Sequence, residues 1–506
     1  MHQYKFKNMI SKITFNILQF IISRKNKLFN ISLFLLLIAY VTIRILFIFS
    51  TNLGFQHGEE DNIWNVINVI DGKKLYTSPL KYPFEIYLYT PLSQLINICI
   101  IKIINIKSIY TIAIILRSIS FIFNIATVIG FYKTIKITST NISKNTKIWI
   151  SALMFMTLPH LNWTIRVDAC SIFLLTLTFY LWIKYCLNRS FTKELMVSLS
   201  ITFAIFTKQD GIQLLFLLPV ISMFFINFKS GCRIGIITGL LCTVSFYILD
   251  LFYNFNFSKS VIGGVSNPYS LGNAFSVTNR YFQLYSILPI SILFVIVYFV
   301  IRGKNKIIKS STFVTIGVFI FACGTSMKLG AWVNYFSLFN ILGLFLITNY
   351  IDLYPKIQSK IKLISIFFIL YFLSGITYHY LTPEFKFDRS IIKSTEKSAL
   401  TIKKTLPNNA LIYTNNDILE LCLFDKTIFP NQVFYPDMST FKLSIDKAIL
   451  DRIYIIQYDN APLDFVELNY LKINRNNLLF IKKIKKFTIY KVSTRPTTSC
   501  LNSKTS

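Results

Sequence analysis

Acidic side chains are scarce in this chain: 22 Asp and Glu stand against 53 Lys and Arg in 506 residues, a formal net charge of +31. Histidine is scarcer still, at four, and the eight cysteines are scattered with no CxxC pair and no metal-ligand spacing. That pattern argues against a zinc cluster and against a disulfide framework. Charge of either sign is thin, at 15% of residues, while 53% are hydrophobic. A water-soluble chain does not carry repeated apolar runs of about twenty residues, so the expected class is an α-helical polytopic membrane protein. The basic surplus would suggest nucleic acid elsewhere. Here much of it sits in short loops between apolar runs, where the positive-inside bias puts it, and no nucleic-acid partner is expected.

A basic, partly apolar arm of residues 1–30 leads into a first span, Ile31–Ser50, without a small-residue cleavage site. Such an arm suits the cytoplasmic membrane surface. Further spans are expected near 109–131, 148–160, 168–187, 195–207, 211–228, 234–253, 282–301, 310–326, 331–350 and 363–381. Basic loops at Lys133–Lys147, Lys184–Lys193, Lys229–Arg233, Arg302–Lys309 and Lys356–Lys362 all count to the cytoplasmic side. The same count puts 51–90, 160–168, 208–210, 254–281, 327–330 and 382–506 outside. Eleven spans result. The run 87–105 is apolar enough to cross, and as an interfacial, re-entrant or full span it leaves the number between eleven and thirteen. The expected location is the cell inner membrane, multi-pass, with the N-terminus cytoplasmic.

Beyond the membrane domain, 31–384, the character changes. Residues 385–506 read as a small α/β domain outside the membrane, periplasmic or extracytoplasmic. An amphipathic helix is expected over Ser390–Leu406, with strands at Ala410–Thr414, Arg452–Gln457, Leu478–Ile481 and Phe487–Val492. Helical stretches are expected at Ile418–Phe424 and Asp464–Leu471.

Scarcity makes the position of each acid informative, because membrane domains rarely carry carboxylates without a reason. Residues 1–384 hold eleven, and five fall in the first outer loop, 51–90, three of them consecutive: Glu59, Glu60 and Asp61. A carboxylate there could act as a general base toward an acceptor hydroxyl, or two could hold a divalent cation against a phosphate. The plainer alternative is that they cap the helix over Asn62–Ile70, where first-turn acids favour the helix dipole. A second group, TIRVDACS at 164–171, offers Arg166 and Asp168 at the outer mouth of a span, either as an ion pair or as partners of the loop carboxylates. His160, at the preceding turn, could join it. A third group, FTKQDG at 206–211, sets Lys208 beside Asp210 at a break between apolar segments. That lysine suits a lipid phosphate, or simply snorkels to the interface. A fourth, SMKLGAWVNYF at 326–336, adds Lys328, Asn334 and Tyr335; the loop 254–281 adds Arg280 and the freedom to act as a gate.

These motifs, in this order, resemble the GT-C class of membrane glycosyltransferases, the superfamily of protein O-mannosyltransferases and aminoarabinose transferases. GEED at 58–61, GKKLY at 72–76 and YLYTPL at 87–92 match an acidic motif after the first span, a turn and a Pro-rich segment. RVD at 166–168, TKQ at 207–209 and GAWVNYF at 330–336 match later elements, and the resemblance covers roughly residues 31–350. Val167 stands where relatives have proline, and Glu-Glu-Asp where many begin Asp-Glu. The resemblance implies an inverting transfer of sugar from a polyprenyl-phosphate donor to an envelope glycan, lipid or protein acceptor on the outer face of the membrane. Carried over by position, Glu59 is the catalytic acid, Glu60 a second carboxylate, Asp168 a supporting one and Lys208 the phosphate contact. Asp61, Arg166, Arg280, Lys328, Asn334 and Tyr335 complete the expected substrate-binding set. Some members use a divalent metal, which would place Mg or Mn on Glu59 and Glu60. The rival readings are a transporter or flippase of lipid-linked glycans, and a membrane-anchored scaffold whose working part is 385–506. A transporter calls for ionisable groups at mid-membrane in repeated or broken helices; this chain shows no repeat and sets its acids at a boundary.

Overall fold

The structure, a computed structural model, describes residues 31, 34–50, 59–78, 87–106, 108–158, 163–263, 268–285, 287–328, 330–354, 389–414, 419, 422–423, 452–458 and 478–492. The arm 1–30, His160, the expected span 363–381 and the expected helix 464–471 lie outside the described residues, as does most of 418–424.

Among the described residues fourteen α-helices build the first part: α1 (Phe34–Ile48), α2 (Glu59–Ile70), α3 (Leu92–Ile104), α4 (Ile109–Thr138), α5 (Lys144–Met156), α6 (Asp168–Leu187) and α7 (Phe191–Thr207), then α8 (Ile212–Phe225), α9 (Phe228–Phe252), α10 (Asn256–Gly263), α11 (Leu271–Tyr285), α12 (Ile287–Arg302), α13 (Lys306–Thr325) and α14 (Ser337–Leu353). Among the described residues, α4, α6, α9, α13 and Val333–Leu353 are each long and apolar enough to cross a bilayer. The axes of α11 and α12 differ by 99°, so the expected span 282–301 begins only at Ile287 and α11 is a separate element. At 13 residues α3 measures about 20 Å, short of the roughly 30 Å hydrocarbon core, and it packs beside α2 instead of crossing alone.

Capping explains where the helices start. Ser143, Ser190, Asn227 and Asn305 each accept a hydrogen bond from the first turn of α5, α7, α9 and α13. Three of these caps lie in the basic loops and Asn227 stands two residues before Lys229, so those helices leave one end of the bundle together and α4, α6, α8, α12 and α14 return to it. Polar ties lock that end. Asp352 accepts from the backbone amides of Asn141 (2.7 Å) and Ile142 (3.0 Å), Arg233 pairs with Glu194 at 2.7 Å, and Trp182 Nε1 donates to Ser222 Oγ at 2.9 Å. Around α6 and α14 the apolar core is continuous, and it includes Phe179, Trp182, Leu342 and Phe345, all nearly or fully buried.

The second part is a four-stranded sheet with β1 (Leu411–Thr414), β2 (Ile453–Tyr458), β3 (Leu478–Ile484) and β4 (Phe487–Val492) in the order β1-β2-β4-β3. The β1–β2 pair is parallel and the other two pairs are antiparallel. Helix α15 (Arg389–Thr405) buries Ile392, Ala399 and Ile402, one apolar stripe, and the last two join Ile412, Ile456 and Ile489 in the domain core. Cys422 packs against that core and also against the cluster of α2, α3 and α4, so the domain sits on the loop end of the bundle.

Candidate functional site

Residues 163–167 lead into α6, and Asp168 opens that helix, where a carboxylate favours the helix dipole. Its Oδ2 accepts from Arg166 Nε at 3.2 Å, and Oδ1 accepts from Lys208 Nζ at 2.9 Å and from Asn334 Nδ2 at 2.6 Å. Three distant stretches of chain thus converge on one carboxylate. Lys208 stands in extended backbone where α7 ends, and the short 3-10 turn Gln209–Gly211 carries the chain into α8. Gly211 is required there: a Cβ would lie 2.6 Å from the Ala204 carbonyl carbon and the Ile205 nitrogen, inside contact distance of backbone that cannot yield. The turn also presents Asp210, whose Oδ2 lies 3.3 Å from Lys208 Nζ and whose Oδ1 accepts from Ser171 Oγ at 3.2 Å. The tyrosine-rich stretch after the first loop closes one side. Tyr89 Oη accepts from Arg166 at 2.8 Å, and Gln209 Nε2 donates to the Leu88 carbonyl.

Electrostatics keep this cluster ionised. Burial alone would pull the Lys208 ammonium down, but Asp168 and Asp210 outweigh it and hold the group well above its ordinary value. Burial likewise opposes the Arg166 charge, and the oxygens of Tyr89 and Asp168 more than restore it. Lys208 also faces the Tyr335 ring at 4.9 Å, a cation–π contact. The Lys208 side chain is only 7% exposed whereas Arg166 is 18% exposed, so the arginine is the cation that meets solvent. Beside the cluster a small recess runs between Asp168, Asp210, Gln213, Asn334 and Leu338. On the approach to Asn334, Arg280 stacks on Trp332 with its guanidinium carbon 3.8 Å from the ring centre, and the arginine is exposed.

Glu59 occupies a different environment. It is fully buried, its Oε2 receives Arg117 at 2.6 Å, and its Oε1 receives Arg117 Nε and the Ile165 amide, both at 3.1 Å. Arg117 also donates to the carbonyls of Phe47 (3.2 Å) and Ser50 (2.8 Å) and lies 4.6 Å over the Phe47 ring. This is a bidentate strut joining α1, α2, α4 and the segment that carries Arg166. Arg117 and the Ile165 amide take three of the roughly four lone-pair positions of the Glu59 carboxylate, which leaves little of it for a base or a metal ligand. Its neighbour Asp61 is buried in the same first turn of α2, while the Glu60 side chain lies outside what is described.

The structure therefore unites Arg166, Asp168, Lys208, Asn334 and Tyr335, stacks Arg280 on Trp332 two residues before Asn334, and sets Glu59 one residue away from Arg166 through Ile165. Lys328 lies in the turn before Gly330, where its backbone bridges to Tyr269 and its carbonyl accepts from Asn273 at 2.6 Å. Asp168 and Asp210 are each held by Lys208 and Glu59 by Arg117, and among the described residues no three of His, Cys, Asp and Glu converge. The Glu60 side chain, the other half of the expected Glu59–Glu60 metal pair, lies outside the described residues.

Sequence reasoning missed Arg117 and Tyr89. Arg117 carried a usable signal. It is an arginine inside the apolar run 109–131, and a charge there demands a buried partner. Arg44 in α1 carries the same signal and is met by aromatic rings, with Trp163 nearest at 4.4 Å. Tyr89 carried none, since tyrosines are common at a membrane boundary.

No protein-family model matches the chain, and no curated protein matches it. Solved structures do match. The aminoarabinose transferase ArnT of Cupriavidus metallidurans bound to undecaprenyl phosphate aligns with a TM-score of 0.58 at 10% identity, over 89% of this chain and 98% of that one. Its apo state aligns with a TM-score of 0.57 at 10% identity, over 89% and 97%. The Archaeoglobus fulgidus oligosaccharyltransferase, crystallised with zinc and sulfate, aligns with a TM-score of 0.50 at 10% identity, over 84% of this chain and 68% of that one. At such identity the likeness is one of fold. The chain has a GT-C-like membrane fold, the class its motif order resembles.

Proposed function

We propose that this chain is a membrane glycosyltransferase that moves a sugar from a polyprenyl-phosphate carrier to a hydroxyl of an envelope glycan, lipid or protein acceptor. The observation that carries the reading is the convergence of Arg166, Lys208 and Asn334 on Asp168 beside a recess, with the exposed Arg280 stacked on Trp332 two residues before Asn334. The GT-C-like fold supports it, since the ArnT structure holds undecaprenyl phosphate. The basic loops at the opposite end of the bundle support a site on the outer face.

In this reading the acceptor oxygen attacks the anomeric carbon from the face opposite the phosphate. The bond from that carbon to the phosphate oxygen breaks, and the lipid phosphate leaves with the electron pair. Arg166 and Arg280, the two cations with exposed surface, meet that developing charge. Lys208, sealed between two carboxylates, holds Asp168 and Asp210 in place. The hydroxyl proton passes to the acids that head α2, and with Glu59 engaged by Arg117 that role falls to Glu60 and Asp61. In-line attack inverts the anomeric configuration.

Two measurements test this. Envelope glycans of a deletion strain should lack one sugar present in the parent, and the purified chain in nanodiscs should transfer that sugar, radiolabelled on a polyprenyl phosphate, with inversion. Unchanged glycans would refute the transferase. Separately, undecaprenyl phosphate, but not undecaprenol, should change the fluorescence of Trp332 in a saturable way, and Arg166→Gln or Arg280→Gln should weaken binding about tenfold or more. Because the Arg166 and Lys208 values are raised in the folded chain, their charges are present at neutral pH and lost only as pH climbs through those raised values. Binding should thus stay flat from neutrality to about pH 10, near the ordinary lysine value. An alkaline fall near pH 8 would contradict the cluster as described.

A further inference from the structure

The β3–β4 hairpin of the second domain carries an exposed surface that the transfer reaction does not use. Among the described residues β3 is an edge strand. On it Leu479, Phe480 and Ile481 run consecutively at 39%, 63% and 45% exposure. Directly beyond them Lys482, Lys483, Lys485 and Lys486 are all exposed. The ladder slips between Phe480 and Lys482, so Ile481 is the extra residue of a bulge, and Phe480 keeps its place by leaning on Tyr490, ring centres 6.3 Å apart. Lysines and a bulge are what keep a second strand from adding to an open edge. They do not explain three large apolar side chains left in water.

We propose that this hairpin docks the domain on the bilayer, the apolar trio entering the boundary between headgroups and acyl chains and the lysines meeting anionic lipid phosphates. Two observations choose the occupant. The lysines complement an anionic surface while opposing a strand partner, and the domain is already held against the membrane part of the chain, since Cys422 packs on the α2–α4 cluster as well as on the domain core. Docking would fix the domain's tilt over the site end of the bundle. It stands independently of the transferase reading.

The test uses the full chain in nanodiscs of phosphatidylcholine alone or with about one third phosphatidylglycerol. Phe480→Trp is compared with the parent, whose five native tryptophans supply the background to subtract. With acyl-chain-brominated lipid the added tryptophan should be quenched, about twofold or more strongly when phosphatidylglycerol is present. Replacing all four lysines by glutamate in the Phe480→Trp chain should abolish that quenching; being exposed, these positions should leave the melting temperature unchanged. If that variant does unfold, Lys482→Gln with Lys483→Gln serves instead and should at least halve the quenching. Absence of quenching in both kinds of disc, from water or from a protein partner on the strand, would overturn the proposal. Quenching that survives loss of the lysines would overturn it equally.

Discussion

Asp168→Ala should be among the most damaging single replacements in this chain. It would leave Arg166 and Lys208 facing one another across a nearly buried space, with Asp210 as the remaining counter-charge to the lysine. Removing one partner of a buried ion pair costs about 3–5 kcal/mol, because the surviving charge loses both water and its partner. Thermal unfolding in detergent should register that loss, and transfer should be undetectable. The double replacement Asp168→Ala, Lys208→Met should be less unstable than Asp168→Ala alone, since it removes a stranded cation together with its carboxylate. Transfer should stay absent in the double variant, because the Asn334 amide and Arg166 lose the group that orients them. Additive destabilisation in this cycle would mean that the two groups do not interact as the geometry requires.

The second large effect separates three adjacent acids. Glu59→Gln should act on folding: it leaves Arg117 buried without its counter-charge, at a cost of about 3–5 kcal/mol, and loosens the Ile165 amide next to Arg166. Glu60→Gln combined with Asp61→Asn should act on chemistry instead, cutting the transfer rate by about 10²–10⁴ while the melting temperature stays near that of the parent, as expected when a general base is removed. The single replacements then say which of the two takes the proton. Should the double variant turn over normally while a stably folded Glu59→Gln does not, the base is Glu59 after all and the strut reading fails.

The reason these acids separate could not be read from GEED alone. Consecutive residues on a helix point about 100° apart, so adjacent acids must face different neighbours. Which neighbour each meets depends on how α2 lies against α4, and Arg117 is 58 residues distant in sequence. The cluster around Asp168 has the same character. Arg166 is two residues away and was legible as a pair, whereas Lys208 and Asn334 are 40 and 166 residues away. Each was singled out by its own short motif, but nothing local said that all would share one carboxylate. The expected phosphate contact, Lys208, emerged as a buried counter-ion for a related reason: exposure is a property of the packed bundle.

By itself the sequence determined the class, the five membrane-length helices among the described residues and the four strands of the tail, because these depend on hydropathy and alternation among near neighbours. It also determined which end of the bundle would be basic, since charge in short loops is a local count. Only the tertiary structure decided that α3 stays beside α2, that α11 turns away from α12, and that Glu59 braces while Arg166 faces solvent. Those outcomes rest on helix–helix packing, where a carboxylate pairs with whichever cation the fold brings within 3 Å, however far apart the two stand in the chain.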